Sequence, residues 1–353
     1  MKKQLMIAAV AATMASATMA DISITGDAYF SYANNAIAVK KNDDNQRVRL
    51  KVVGSTGTTK VVAVIRNGSE TRVDQKPVNN DKGRGLHMDS LYVTTKAGPV
   101  SIKAGDYWGT IGLGARSKGE AKKNALSLST KVGPATVGLF TANGSNGGAN
   151  STNVNVSGKV YGATVKLTHN PSNFTNISVK GTFGGILIAA EQWKDKEDIG
   201  TDNDTTLIHV GGKMGAIKWD VAQIKNDVSY IKDTNTNVAG DQTQGFKNSK
   251  FAPLGSMLVG KAARGATATA VADVGQFTEI AGVAVSTKLA GNTIKAIYTR
   301  NTLGANDKLT GTELILTRPL GGAMLTLNVG KVSGSDDSDN NKVNKGLRLD
   351  VKF

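Results

Sequence analysis

Residues 347–353 read Leu347-Arg348-Leu349-Asp350-Val351-Lys352-Phe353, with apolar and charged side chains alternating without a break. Successive side chains of a strand point to opposite faces, so Leu347, Leu349, Val351 and Phe353 share one face and Arg348, Asp350 and Lys352 the other. A soluble sheet can show this alternation. A strand that closes on an aromatic, with no polar tail behind it, fits better where one face meets lipid and the other meets water.

The opposite end points the same way. Lys2 and Lys3 precede the apolar run Leu5 to Ala12, and Ala17-Thr18-Met19-Ala20 follows before the first acidic residue, Asp21. This pattern predicts a secretory signal peptide over residues 1–20, cleaved after Ala20. The apolar run is much shorter than the roughly 20 residues a spanning helix needs.

Beyond Asp21 no window approaches a transmembrane helix, and the mean hydropathy is slightly polar at −0.20. A barrel escapes a hydropathy scan, because only every second residue of each strand faces lipid. The chain has no cysteine, so an exported fold must be held by its backbone ladders rather than by disulfides. Forty-one glycines and only six prolines suit many strands joined by tight turns. The formal charge is +15, or +13 once Lys2 and Lys3 leave with the leader. Such a surplus normally suggests nucleic acid or an anionic membrane surface. Export argues against nucleic acid and turns the question to where the cations point.

From residue 22 onward one unit repeats: an alternating run, a tight glycine-bearing turn, another alternating run, then a longer polar loop. Turns are expected at Gly54 to Gly57, Gly98-Pro99, Gly133-Pro134, Tyr161-Gly162, Gly184-Gly185, Gly215, Gly291-Asn292 and Gly321-Gly322. Polar loops lie between them, at Asn34 to Asn45, Arg72 to Gly85, Asn143 to Ser151, Asp195 to Asp204 and Gly334 to Asn341. The fold expected is all-β, a transmembrane antiparallel β-barrel with short periplasmic turns and long extracellular loops, in a single domain over 21–353. Eight turns join sixteen strands, and a free strand at each end makes eighteen. The stretch Asp227 to Gly275 lacks clean alternation, and its role is left open. Tyr29, Tyr32, Tyr92, Trp108, Trp193, Trp219 and Tyr298 fall close to strand ends, where interfacial girdles sit.

These residues resemble the general, non-specific porins of Gram-negative outer membranes. The resemblance is carried by the opening strand Ile22-Ser23-Ile24-Thr25-Gly26-Asp27-Ala28-Tyr29, the hairpin Leu91-Tyr92-Val93 through Gly98 to Val100-Ser101-Ile102-Lys103-Ala104-Gly105-Asp106, and the last strand ending on Phe353. It implies a homotrimer, sixteen strands in preference to eighteen, and a loop folded into the lumen at about 107–124. It also implies recognition of the C-terminal strand, with Phe353 as assembly signal, by the barrel-assembly machinery. The corresponding loop of many such porins is acidic. Here it reads Gly114-Ala115-Arg116-Ser117-Lys118-Gly119-Glu120-Ala121-Lys122-Lys123, one carboxylate among four cations, so a net positive constriction is expected.

The sharpest local feature is Arg47-Val48-Arg49-Leu50-Lys51-Val52. Period two gathers Arg47, Arg49 and Lys51 on one face. A cation facing lipid at the bilayer midplane costs roughly 2–4 kcal/mol, so three of them must face the lumen. The same parity sends Lys103, Lys166, Lys180, Lys218, Lys295 and Arg348 inward, and Asp106, Arg116, Lys118 and Glu120 join the expected pore lining through the loop. A competing reading makes the ladder the wet face of a periplasmic sheet. Another places the loop charges on lipopolysaccharide phosphates. Lys131, Lys159, Lys213 and Lys288 precede turns and are expected at the periplasmic rim, with little influence on selectivity.

The expected function is passive diffusion of small hydrophilic solutes and ions, anions preferentially, with outer-membrane lipid and lipopolysaccharide as surroundings. A substrate-specific channel for phosphate or an organic acid, and an adhesive barrel without conductance, stand as alternatives. His87, His169 and His209 lack metal-ligand spacing, and the Asp-rich loops suit solvation better than calcium. No Gly-x-Ser-x-Gly elbow or partnered catalytic pair occurs, so neither enzyme chemistry nor a cofactor is expected.

Overall fold

The computed structural model describes residues 21–34, 42–67, 86–115, 120–142, 151–195, 204–227, 277–303, 307–334 and 343–353. The expected leader (1–20) and most of the ambiguous stretch at Asp227 to Gly275 lie outside them. So do the acidic residues Asp198, Asp202, Asp336, Asp337 and Asp339.

The first strands are β1 (Asp21–Asn34), β2 (Asn42–Thr56), β3 (Thr59–Asn67), β4 (Leu86–Ala97), β5 (Val100–Gly109) and β6 (Glu120–Val132). There follow β7 (Ala135–Ala142), β8 (Ser151–Val160), β9 (Ala163–Asn170), β10 (Phe174–Phe183), β11 (Ile186–Asp195) and β12 (Asp204–Met214). The last six are β13 (Ile217–Asp227), β14 (Phe277–Leu289), β15 (Asn292–Leu303), β16 (Asp307–Leu320), β17 (Ala323–Gly334) and β18 (Val343–Lys352).

Each strand pairs antiparallel with its neighbours in sequence, and β18 pairs back onto β1, so the described residues form one closed barrel of eighteen strands. Closure removes the unpaired edges that an open sheet would present. Eighteen is the number the turn count gives; the sixteen implied by the resemblance does not hold. All eight expected short turns are present, on one rim, and most carry glycine in the left-handed region, such as Gly98 (φ 57°) and Gly133 (φ 57°). That backbone conformation matches two-residue hairpins to the right-handed twist of the flanking strands. The longer connections leave from the other rim.

The seam is completed by Phe353. Its backbone exchanges hydrogen bonds with Gly26 (Gly26 N–H to Phe353 O, 2.6 Å; Phe353 N–H to Gly26 O, 3.0 Å). Its ring lies where a Cβ on Gly26 would stand, so any side chain there would displace the ring.

The two faces separate as period two demands. Ile24, Leu91, Ile177, Ile208, Val283 and Leu314 are exposed on the outside of the wall. Soluble monomers rarely expose apolar surface this extensive, and it fits a lipid environment. Among the aromatics expected as girdles, Tyr32, Trp219 and Tyr298 share rungs with these outward residues. Tyr29, Tyr92 and Trp193 instead sit on inward rungs, because proximity to a strand end does not fix which face a side chain takes.

Candidate functional site: the lumen and its inward loop

The connection from β5 to β6 identifies the inner face. Residues 110–115 leave the wall and reach β11, six strands away, where Leu113 N–H (2.8 Å) and Ala115 N–H (3.1 Å) donate to Glu191 Oε2. A segment anchored at β5 can meet that wall only through the lumen. Ile111, Leu113 and Ala115 pack on Trp193, Leu207, Ala222, Ile224 and Ile280, with Phe174 against the Trp193 ring at 4.8 Å. The inner wall is therefore apolar where the loop docks, although period-two reasoning treats that face as wet.

Glu191 is the centre of the dock and is 2% exposed. Its second oxygen, Oε1, accepts from Asn176 Nδ2 (2.9 Å) and Trp193 Nε1 (2.7 Å). Two oxygens thus receive four N–H donors, which stabilises a buried carboxylate that would otherwise lose its hydration uncompensated. Gly112 passes directly over this cluster with φ 60°, and a Cβ there would collide with Glu191 and Asn176. Of these, Trp193 stands out in the sequence only as an interfacial aromatic, and Glu191, Asn176 and Gly112 do not stand out. The available signal was a glutamate at a lumen-parity position directly after the apolar run Ile186-Leu187-Ile188-Ala189-Ala190.

With the inner face fixed, the ladder registers place the cations. Arg47, Arg49 and Lys51 oppose Tyr29, Asp27 and Thr25 across β1–β2, on rungs that run continuously to Glu191. Asp27 accepts from Arg47 (3.1 Å) and from Arg49 Nε (2.7 Å), so one carboxylate holds two guanidinium groups upright. The Tyr29 ring lies between two cations, Arg47 (4.8 Å) and Arg348 (4.1 Å). Lys103 Nζ stands 3.7 Å from the centroid of Tyr107 and 4.2 Å from that of Tyr92. Cation–π contacts of this kind contribute about 0.5–2 kcal/mol and fix a flexible side chain in place. Lys51 meets no carboxylate among the described residues. Lys166, Lys180, Lys218, Lys295 and Arg348 also stand on inward rungs.

Not every expected residue joins them. Asp106 opposes the outward Leu91, and its carboxylate accepts the N–H of Asn124 at 2.8 Å. It braces the β5–β6 bulge, where Asn124 has φ 45°, and does not line the pore. Arg116 and Lys118 lie outside the described residues, and Glu120 opens β6.

Carboxylates also enter the lumen on the facing wall. His209 Nε2 and Asp220 Oδ1 are 2.9 Å apart, and Glu313 accepts from Asn328 at 2.6 Å. Together with Glu191 these groups lie on β11–β16, a stretch that also carries Lys218 and Lys295 on inward rungs. Cations and carboxylates thus share the described inner wall, while the charges of Arg116 and Lys118, on which the expectation of a net positive constriction rests, lie outside the described residues. Between the ladder and the loop base lies a cavity of about 730 Å³, lined by Arg49, Lys51, Lys103, Tyr92, Tyr107 and Ser90 among others. At the short-turn rim Lys131, Lys159, Lys213 and Lys288 take inward rungs, which sets them around the mouth.

No family model and no curated protein matches the sequence. Solved structures do match over nearly the whole chain. The Pseudomonas aeruginosa protein OpdK, solved with vanillate, gives a TM-score of 0.63 at 10% identity, covering 94% of this chain and 98% of that one. A BenF-like porin from Pseudomonas fluorescens gives 0.61 at 10% identity, covering 95% and 99%. Pseudomonas aeruginosa OccK2 (OpdF), in complex with glucuronate, gives 0.59 at 9% identity, covering 95% and 98%. With a closed antiparallel wall, a loop docked across the lumen and these neighbours, the fold of this chain is that of the outer-membrane porins.

Proposed function

We propose that the chain is an outer-membrane channel through which small hydrophilic solutes diffuse passively, anions in preference to cations. The observation that carries this reading is the ladder of Arg47, Arg49 and Lys51 on inward rungs beside Lys103, with Lys51 unmatched by a described carboxylate. Fixed positive charge along one wall concentrates anions and repels cations, and added salt screens the effect. The inward carboxylates Glu191, Asp220 and Glu313 offset part of that field, and Lys166, Lys180, Lys218 and Lys295 on other inward rungs add to it. In this reading residues 1–20 direct export, the terminal strand engages the barrel-assembly machinery, and the barrel assembles as a trimer. The flux needs no catalysis.

A second reading is favoured by the cavity beside the loop. Arg49, Lys51 and Lys103 there adjoin the rings of Tyr92 and Tyr107, a combination suited to an organic acid. Two of the similar structures hold vanillate and glucuronate, both carboxylates. Under this reading, small organic acids added on one side of a bilayer block the current in a saturating manner at low concentration. A general diffusion pore gives no solute-dependent block. A barrel without conductance in either assay overturns both readings and leaves the adhesive one.

A further inference from the structure

The short hairpins repeat a unit that neither the ladder nor the inward loop uses. Lys96-Ala97, Lys131-Val132, Lys159-Val160, Lys213-Met214 and Lys288-Leu289 each place a lysine and then an apolar residue at the end of the strand that enters a short turn. Alternation turns the apolar member outward and the lysine inward, so the lysine occupies the last inward rung before the turn. Lys60 reaches the same level from β3, and Lys218 stands opposite Lys213. These seven lysines are exposed, and they crown six of the eight short hairpins. The last inward rungs of the other two, Thr182 with Leu187 and Pro319 with Met324, are uncharged.

None of these ammonium groups is ion-paired to a described residue. Of the described carboxylates beside this rim, Asp220 is held by His209, Asp350 by Arg348, and Asp21 stands opposite Ser55. What the lysines do have across the rung is a hydroxyl. Lys60 opposes Ser55, Lys96 opposes Ser101, Lys131 opposes Thr136, Lys159 opposes Thr164 and Lys288 opposes Thr293. Directly opposite residues have Cβ atoms about 4.5–5.5 Å apart, so each of these hairpins holds an ammonium and a hydroxyl side by side. An ammonium donates in three directions and a hydroxyl adds a further donor, which suits the several oxygens of a phosphate. A planar carboxylate is better met by the guanidinium fork, and no arginine stands on these rungs. Spacing sets the size of the ligand. Strands lie about 4.7–4.9 Å apart, so lysines on successive hairpins are roughly 10 Å apart along the rim. Two neighbours can share one phosphate, but the arc from Lys60 to Lys159 is spanned only by several phosphates in a chain.

We infer that the short-turn mouth is a binding collar for a linear polyphosphate, successive phosphates of one chain resting on the ammonium and hydroxyl pairs of successive hairpins. The inference rests on the channel reading above, which makes this rim an open mouth rather than a closed end. The collar is separate from the ladder of Arg47, Arg49 and Lys51, which lies deeper in the lumen.

The test uses the full chain in lipid nanodiscs at low salt, with the fluorescence anisotropy of an end-labelled linear polyphosphate as the readout and orthophosphate and polyglutamate as competitors. Linking phosphates makes each further contact intramolecular, so the polymer is expected to compete roughly a hundredfold better than orthophosphate at equal phosphate concentration. Polyglutamate of equal charge is expected to compete less well than the polyphosphate. A contact between unit charges in water is worth roughly fivefold in affinity, so Lys96→Gln/Lys131→Gln/Lys159→Gln loses about a hundredfold. Lys213→Gln/Lys218→Gln/Lys288→Gln, elsewhere on the same rim, weakens binding as well and supplies the readout if the first variant does not fold. Arg47→Ser/Arg49→Ser/Lys51→Ser is expected to bind the polymer as wild type does. Equal competition by orthophosphate, equal competition by polyglutamate, unchanged binding in both lysine variants, or a loss in the ladder variant as large as theirs overturns the collar. Conductance is measured on the same preparation. Protein that conducts but does not bind polyphosphate overturns the collar alone, and protein that does not conduct overturns the channel reading.

Discussion

Glu191 stands where the inward loop docks, and the four N–H groups that converge on it decide how firmly the loop is held. Glu191→Ala leaves donors of Leu113, Ala115, Asn176 and Trp193 without acceptors, at about 1–3 kcal/mol for each that stays buried. The expected outcome is a loop that leaves its dock, read as a larger single-channel conductance with greater open-channel noise. Gly112→Ala attacks the same contact from the other side, since its Cβ collides with Glu191, and is expected to reproduce that phenotype with the carboxylate intact. Conductance and noise unchanged in both variants would contradict the latch. Neither residue could be picked out beforehand, because its importance depends on a contact between segments 76 residues or more apart. The arginine and lysine ladder was legible, because Arg47, Arg49 and Lys51 need only period two and the cost of charge in lipid to be assigned a face. Asp106 was misplaced for a related reason: the bulge beside it shifts the register, and alternation alone does not reveal where a bulge falls.

At the scale of the strand and hairpin, the expectations from sequence depend on local rules, and the hairpins follow them. Glycine at a tight turn and β-branched residues at alternate positions are decided within a few residues, so all eight short turns were placed to within a few residues, the first of them starting at Gly57 and not at Gly54. Counting those turns gives eighteen strands; the family analogy, which is not local, gave sixteen. The inward apolar residues Leu207, Ile224 and Ile280 read as noise in the alternation until the loop is seen to cover them. The parity of β2 makes a paired prediction. Leu50→Arg puts a charge on the lipid face and is expected to lower refolding stability by roughly 2–4 kcal/mol. Arg49→Leu, one residue away on the inner face, is expected to fold almost as well as wild type. Urea titration of refolding into lipid vesicles measures both, and equal losses would contradict the assigned faces. At the seam, Phe353→Ala keeps the backbone rung to Gly26 but removes the ring over it. The ring is 61% exposed, so the loss expected in the same titration is well below the roughly 3–5 kcal/mol of a fully buried phenylalanine.

For the whole molecule, closure and charge are the two properties that matter. Closure gives every strand two partners and lets an apolar outer surface coexist with a mean hydropathy that looks soluble. Among the described residues, cations gather along the lumen wall and around the mouth at the short-turn rim, so the functional meaning of the charge surplus lies in placement. The central claim is that the inward ladder makes the open pore prefer anions. It is tested most directly by the reversal potential of the purified protein in a planar bilayer under a salt gradient, for wild type and for Arg47→Ser/Arg49→Ser/Lys51→Ser. The account predicts a potential of anion-selective sign that collapses toward zero in the variant and weakens as total salt rises. A cation-selective potential, or an anion-selective one that the triple variant leaves unchanged, would contradict it.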